Sequence, residues 1–289
     1  MKRPRLIVHR RRSAWPEIQD GLGAEPTQRR ALRTRFTLRG LLLLTAVAGV
    51  LMAFLADYVK KSERQRITVT ELRKIGAKVK YSDPPSWPFV GLIERKFGVD
   101  FVANATFVSF IYRSVSLREL NLLSDLRQLQ GLDLFRAQID DDGLAQLAHL
   151  SELAFLDLRH TQITDEGLQH LRHLYRLDTL HLASCQITGP GLISLQPLSS
   201  LVTLDLAFTS IQDEHLAPIG RLKTLVNLNL NNTGLTEKAL RHLQPLHELR
   251  QLKLYGAKIS PKALRKFSEK HPNCNINSDV NLNTIRPPS

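Results

Sequence analysis

Asp157, His181 and Asp205 stand 24 residues apart, with Asp133 before them and Asn229 and Lys253 after at the same interval. If 24 residues make one turn of a repeating structure, these side chains stack into a stripe whose neighbours lie about 5 Å apart. Two carboxylates around an imidazole can converge on a divalent cation, or work as an acid and base pair in a metal-dependent hydrolase. A metal site also needs outer partners and an enclosing pocket, however, and an open sheet supplies neither by default. The columns beside the stripe favour recognition instead. Phe135, Phe155, Arg159, Asn231 and Tyr255 flank it, a mixture of aromatic and Arg side chains typical of interface anchors. The stripe and its flanks are therefore the predicted partner-binding face, and no catalytic residue, metal ligand or cofactor is predicted.

Other reactive side chains have plainer explanations. His170 and His173 share one helix face with no third ligand in view, and Asp140 to Asp142 suit the start of a helix through capping and the dipole. Cys185 and Cys274 fall three to four strands apart at about 4.8 Å per strand, beyond the ~7 Å that a bridge between Cα atoms tolerates. No phosphate loop, nucleophile elbow or zinc signature is present in the sequence.

What must position the stripe is a leucine repeat. One copy reads Leu156, Leu158, Ile163, Leu168, Leu171, Leu174 and Leu177, and the copies at intervals of 24 carry apolar residues throughout, from Val108 and Phe110 to Leu264 and Phe267. The alternating pair predicts a short strand with one buried face. The later spacing of three predicts a short helix with one inward stripe. Asp140, Thr164, Thr188, Thr236 and Ser260 sit where a side-chain oxygen can cap that helix, Pro261 suits a first helical position, and Gln212 is the exception. One coil cannot bury its own leucines, so the coils must stack, with a parallel sheet on one face and helices on the other.

With L-x-L-x-x-T-x-I-T-D-x-G-L-x-x-L most complete at Leu156 to Leu171, the chain resembles the leucine-rich repeat family over residues 107–276, in about seven repeats. The form is similar to the cysteine-containing class, with Thr161, Thr209, Thr233 and Cys185 in its Cys or Asn column and Ala137 and Ala257 departing from it. The resemblance implies an α/β solenoid, parallel sheet on the concave face and helices on the convex face, whose Thr or Cys column hydrogen-bonds to backbone within the turns.

Ahead of the repeats, Leu41 to Ala56 is an uncharged apolar run preceded by Gly40. About seventeen helical residues reach roughly 26 Å, just short of a ~30 Å hydrocarbon core, and Tyr58 and Val59 can extend them. A single transmembrane helix over residues 39–59 is predicted, meeting the lipid bilayer through Gly40 to Ala56. A cleavable signal peptide is the rival reading, disfavoured by a long basic leader and the lack of an A-x-A site. Residues 1–39 hold 11 Lys and Arg against 3 Asp and Glu, which places the N-terminus in the cytoplasm and the repeats outside it.

The net charge of +13 would ordinarily suggest nucleic acid. Residues 1–80 carry all of that excess, whereas residues 107–289 carry only +1. The charge belongs to the membrane end, where anionic headgroups attract it, and no nucleic-acid partner is expected. Residues 1–38 and 277–289 read as disordered tails, and 60–106 as a juxtamembrane segment with a helix at Ile67 to Ile75 and a strand after Gly76, capping the first sheet edge. In this arrangement the chain resembles membrane-anchored leucine-rich repeat proteins of bacteria. That resemblance implies a binding protein offering its concave face to a protein, peptide or glycan; a self-associating envelope scaffold is the alternative.

Overall fold

The computed structural model describes residues 37–86 and 89–280. The predicted tail at 1–38 falls outside the described residues except for its last two, and that at 277–289 does so beyond Val280; Asn277 belongs to the last strand and Asp279 accepts the Gly256 amide, so the ordered repeats run further than predicted. The described residues divide into two units between Leu51 and Met52.

The second unit is built on a nine-stranded sheet in sequence order. Strand β1 (Lys78–Tyr81) pairs antiparallel with β2 (Ala105–Ser109), and from β2 onward every pairing is parallel. The seven strands that follow are β3 (Gly131–Asp133), β4 (Phe155–Asp157), β5 (Thr179–His181), β6 (Thr203–Asp205), β7 (Asn227–Asn229), β8 (Gln251–Lys253) and β9 (Asn275–Asn277). From β2 to β8 each residue pairs with the one 24 positions on, for example Leu132 with Leu156 and Leu156 with Leu180. The sheet is thus parallel apart from its first strand, which turns back to satisfy the backbone groups on one side of β2.

The leucines point inward as their spacing requires. Leu156, Leu158, Leu180, Leu182, Leu204 and Leu206 are all fully buried, and the same single core runs from Val69 and Leu72 to Phe267 and Cys274. Each buried leucine stabilises the stack by about 1.5–3 kcal/mol relative to an exposed one.

The convex face departs from the expected row of helices. Its central coils carry 3-10 segments, Gly167–Leu171, Pro190–Leu195, Asp213–Leu216 and Ile219–Arg221, while α-helical turns stand nearer the ends at Leu117–Leu122, Asp141–Ala145, Ala239–Leu243 and Pro261–Lys270. The leucine spacing of three admits either form, since Leu240 and Leu243 keep it on an α-helical turn. Residues three apart eclipse in a 3-10 helix, so Leu168 with Leu171 and Leu192 with Leu195 align on the buried side at that pitch.

The capping column also serves another purpose than predicted. Asp140 and Ser260 do cap, accepting from Gly143 and Ala263 amides at 3.0 and 3.3 Å. Thr164 and Thr236 likewise accept the amides of Glu166 and Lys238 at 3.2 and 3.3 Å, and the threonines also tie each coil to the one before. Thr164 donates its amide and hydroxyl to Asp141, Thr188 to Asp165, and Thr236 to Asp213, all between 2.5 and 2.9 Å. This ladder breaks once, and both of its residues are missing there: Gly189 replaces the acid and Gln212 replaces the threonine.

The apolar run predicted to span a membrane and the separate helix predicted at Ile67 to Ile75 form one continuous helix, α1 (Leu38–Lys74), because no helix breaker stands between them. None of its apolar window is buried in the protein, and by length and composition it can cross a membrane. Its last turns, in the second unit, bury Ser62, Thr68, Val69 and Leu72. Gln65 fixes that end by donating to the carbonyls of Asp100 and Ala103 at 2.8 Å and accepting the Ala105 amide at 3.0 Å.

Candidate recognition surface on the concave sheet

The predicted stripe lies on β3 to β8, and its acids have backbone duties. Asp133 Oδ1 accepts the amide of Phe135 at 3.0 Å, Asp157 that of Arg159 at 3.0 Å, Asp205 that of Ala207 at 3.0 Å, and Asn229 that of Asn231 at 3.2 Å. A short acceptor two residues ahead holds each strand end as it leaves the sheet. Asn231 passes the role onward, accepting the Tyr255 amide from the next coil at 2.9 Å. His181 cannot do this, and among the described residues Ala183 finds no such acceptor.

Asp157 is only 2% exposed and is paired with Arg159, whose Nε lies 3.0 Å from both carboxylate oxygens and Nη2 2.5 Å from Oδ2. His181 sits half-buried between Asp157 and Asp205, with Nδ1 3.9 Å from Asp205 Oδ2 and no hydrogen-bond partner. Burial pushes the imidazole pKa below its ordinary value, and Arg159 adds to this, against the opposing pull of the nearby carboxylates. Among the described residues no group of three or more His, Cys, Asp or Glu is placed to hold a metal ion.

The Thr and Cys column performs the turn role that the family resemblance implied. Thr161, Thr209 and Thr233 donate to the carbonyls of Leu158, Leu206 and Leu230 at 2.6–2.8 Å. Cys185 donates to the Leu158 carbonyl at 3.0 Å, and burial pushes its thiol pKa up to about 11. Both cysteines are free and buried.

One column escaped the sequence reading. Tyr112, Arg136, His160, Ser184, Phe208 and Asn232 all adopt positive φ between 53° and 59°, and Gly256 continues the series at 75°. Each amide bonds forward to the next coil, as Arg136 N–H does to the Arg159 carbonyl at 2.9 Å, and the left-handed backbone is what turns the chain off the sheet. Such a conformation disfavours bulky side chains. The sequence does carry a signal: Asn232 and Gly256, residues that tolerate this backbone, mark the column at the C-terminal coils.

The bulky members of this column join the predicted flanking residues in a stacked cluster. Tyr112 packs edge-on to Phe135 at 5.4 Å, and Phe135 edge-on to His160 at 5.4 Å. The guanidinium of Arg159 lies 5.0 Å from the Phe135 centroid, and that of Arg136 lies 5.4 and 5.5 Å from Tyr112 and Phe135. Phe155 belongs to a second group, 5.9 Å from Phe107 and 5.7 Å from His181. Beyond them a shallow hollow of about 290 Å³ has Ala183 and Ala207 as its floor, with His160, Asp205 and Phe208 among its walls. Lys253 is half-buried and Tyr255 exposed two strands further on, apart from the cluster.

A leucine-rich repeat family model matches residues 153–171 and 177–195. No curated protein matches the chain. Among solved structures, internalin C2 of Listeria monocytogenes is similar at 24% identity and a TM-score of 0.51, over 63% of this chain and 79% of that one. A leucine-rich repeat protein of Leptospira interrogans is 28% identical over 54% of this chain and 38% of its own length, with a TM-score of 0.44. Internalin F of Listeria monocytogenes is 23% identical over 56% of this chain and half of its own, also at 0.44. With its coils in unbroken 24-residue register, its Thr and Cys turn bonds in place and two of its repeats matched by the family model, this chain has the leucine-rich repeat fold.

Proposed function

We propose that the protein is a membrane-anchored binding protein that captures a protein or peptide on its concave face, around Tyr112, Phe135, Arg136, Arg159 and His160. The observation that carries this reading is the left-handed column. Tyr112 is 63% exposed and Phe208 61% exposed, at backbone positions where a side chain costs of order 1 kcal/mol relative to glycine. Large apolar groups held in water by a strained backbone gain only when something covers them, and aromatic and Arg side chains dominate binding energy where they are covered. The apolar half of α1 supports the anchor, and the basic excess of residues 1–39 supports a cytoplasmic N-terminus with the repeats on the far side.

Crosslinking in intact cells with the full chain, followed by identification of the attached proteins, tests the surface. A protein attached to the wild type and lost from a Tyr112→Ala, Arg136→Ala variant is the expected result. Both side chains are exposed, so the fold tolerates their removal; a pattern of attachment unchanged by the variant rejects the concave site.

A further inference from the structure

The helix α2 (Val90–Phe97) has no buried residue, although it is clearly amphipathic. Phe89, at its N-cap, is 77% exposed, Leu92 60% and Phe97 48%. At 100° per residue Val90, Leu92, Ile93 and Phe97 share one side, with Lys96 between Leu92 and Ile93 on that same side, while Gly91, Glu94 and Arg95 take the other. Val90 and Ile93 are half-buried, but Phe89, Leu92 and about half of Phe97 stay exposed and need another covering, and the position of the helix says which. Phe97 stacks on Phe101 at 5.2 Å, Phe101 meets Tyr58 edge-on at 5.9 Å, and the Tyr58 hydroxyl donates to the Phe101 carbonyl at 2.9 Å. Tyr58 stands two residues after Ala56, where the apolar run of α1 ends.

We infer that α2 is a second membrane contact, lying in the interface of an anionic bilayer with Phe89, Leu92 and Phe97 among the acyl chains. This rests on the anchor reading of α1, since that is what brings Tyr58 to headgroup depth. Charge fits the same occupant. Arg95 flanks the apolar side and Lys96 lies on it with a stem long enough to carry its ammonium out to the headgroups, and Lys60, Lys61 and Arg64 line a cleft of about 630 Å³ beside Phe101, with Arg127 among its other lining residues. The acids there, Asp57, Asp100 and Asp125, are already engaged: Asp57 with Lys61, Asp100 with Tyr81 and Arg73, and Asp125 with the Thr68 hydroxyl. Lys60, Arg64 and Arg127 are left for headgroup phosphates, each worth about 1 kcal/mol near such a surface. Amphipathic helices with this division of apolar and basic groups lie in the plane of the interface.

The full chain, reconstituted into mixed phosphatidylcholine and phosphatidylglycerol vesicles, carries an environment-sensitive fluorophore on Leu92→Cys in one preparation and on Leu51→Cys in another. The native thiols are buried, with pKa values pushed up to about 11, so the label goes to the introduced site. Quenching of both labels by lipids brominated on their acyl chains is the expected result. Quenching at position 51 alone overturns the interfacial helix and leaves the anchor standing. Quenching at position 92 alone keeps the lipid contact and removes the span, and quenching at neither overturns both. A label at 92 that is quenched in pure phosphatidylcholine as strongly as in the mixture overturns the anionic preference.

Discussion

The Arg159 guanidinium grips the carboxylate of Asp157 from two residues away, while its carbon lies 5.0 Å from the centre of the Phe135 ring. One side chain therefore neutralises a buried acid and forms part of the exposed cluster. Removing it does two things at once. Arg159→Ala is expected to cost about 3 kcal/mol of stability, chiefly because Asp157 is left buried and unpaired. Urea denaturation measures this, and Asp157→Asn in the same chain should recover much of the loss. For that reason Arg136, rather than Arg159, separates binding from folding.

His181→Asn is expected to stabilise the protein by about 1 kcal/mol at neutral pH. Asn at this place in the strand, like Asn229, supplies the acceptor that the Ala183 amide lacks. The pH dependence has a definite sign. The folded imidazole pKa lies below its ordinary 6.5, so the unfolded chain binds more protons as pH falls, and His181 favours unfolding below that value. Thermal unfolding from pH 7.5 down to 5 should show a steeper loss in the wild type than in the variant; parallel curves would contradict this.

Asp165 accepts four hydrogen bonds, from the amide and hydroxyl of Thr188 and the amides of Gly189 and Gly191. Burial alone would raise its pKa, but these bonds outweigh burial and hold it below 3.8. Asp165→Ala should cost about 2 kcal/mol at neutral pH. That contribution is complete above the ordinary carboxylate value and fades as pH falls through the lower folded one, so wild type and variant should converge in acid.

Gly189 has φ of 126°, and a Cβ there would lie 2.4 Å from the Cβ of His215. Gly189→Ala is expected to destabilise by about 1–3 kcal/mol, and Gly189→Asp likewise, although aspartate is what the ladder of coil-to-coil bonds would ask for. Equal stability of Gly189→Asp and wild type would show that the gap can be closed by its acid alone.

Where one side-chain period decides the structure, the sequence was sufficient. Leucines at intervals of 24 place Leu132, Leu156 and Leu180 in register on adjacent strands, and Asp157, His181 and Asp205 follow on the same face. Composition alone did not show that Asp133, Asp157, Asp205 and Asn229 hold backbone amides, because an acid beside a turn looks the same whether it faces a ligand or its own chain. The threonine column was half legible: Thr164 accepts the Glu166 amide as its cap-like position suggests, but a single sequence position does not show that its own hydroxyl, and that of Thr188, donate to a carboxylate in the preceding coil. Tyr112, Arg136, His160 and Phe208 were passed over because aromatic and basic residues do not announce positive φ.

The bond from Asp165 to Thr188, like those from Asp141 and Asp213, joins an acid in one coil to a hydroxyl in its successor. Length is consequently an adjustable property of this molecule in steps of 24 and in no smaller step. Deleting a whole coil brings one acid to another's threonine and one leucine to another's socket, whereas adding a single residue inside a strand turns the interior outward. Gly189 and Gln212 mark the one internal seam where a splice would find no such bond to inherit.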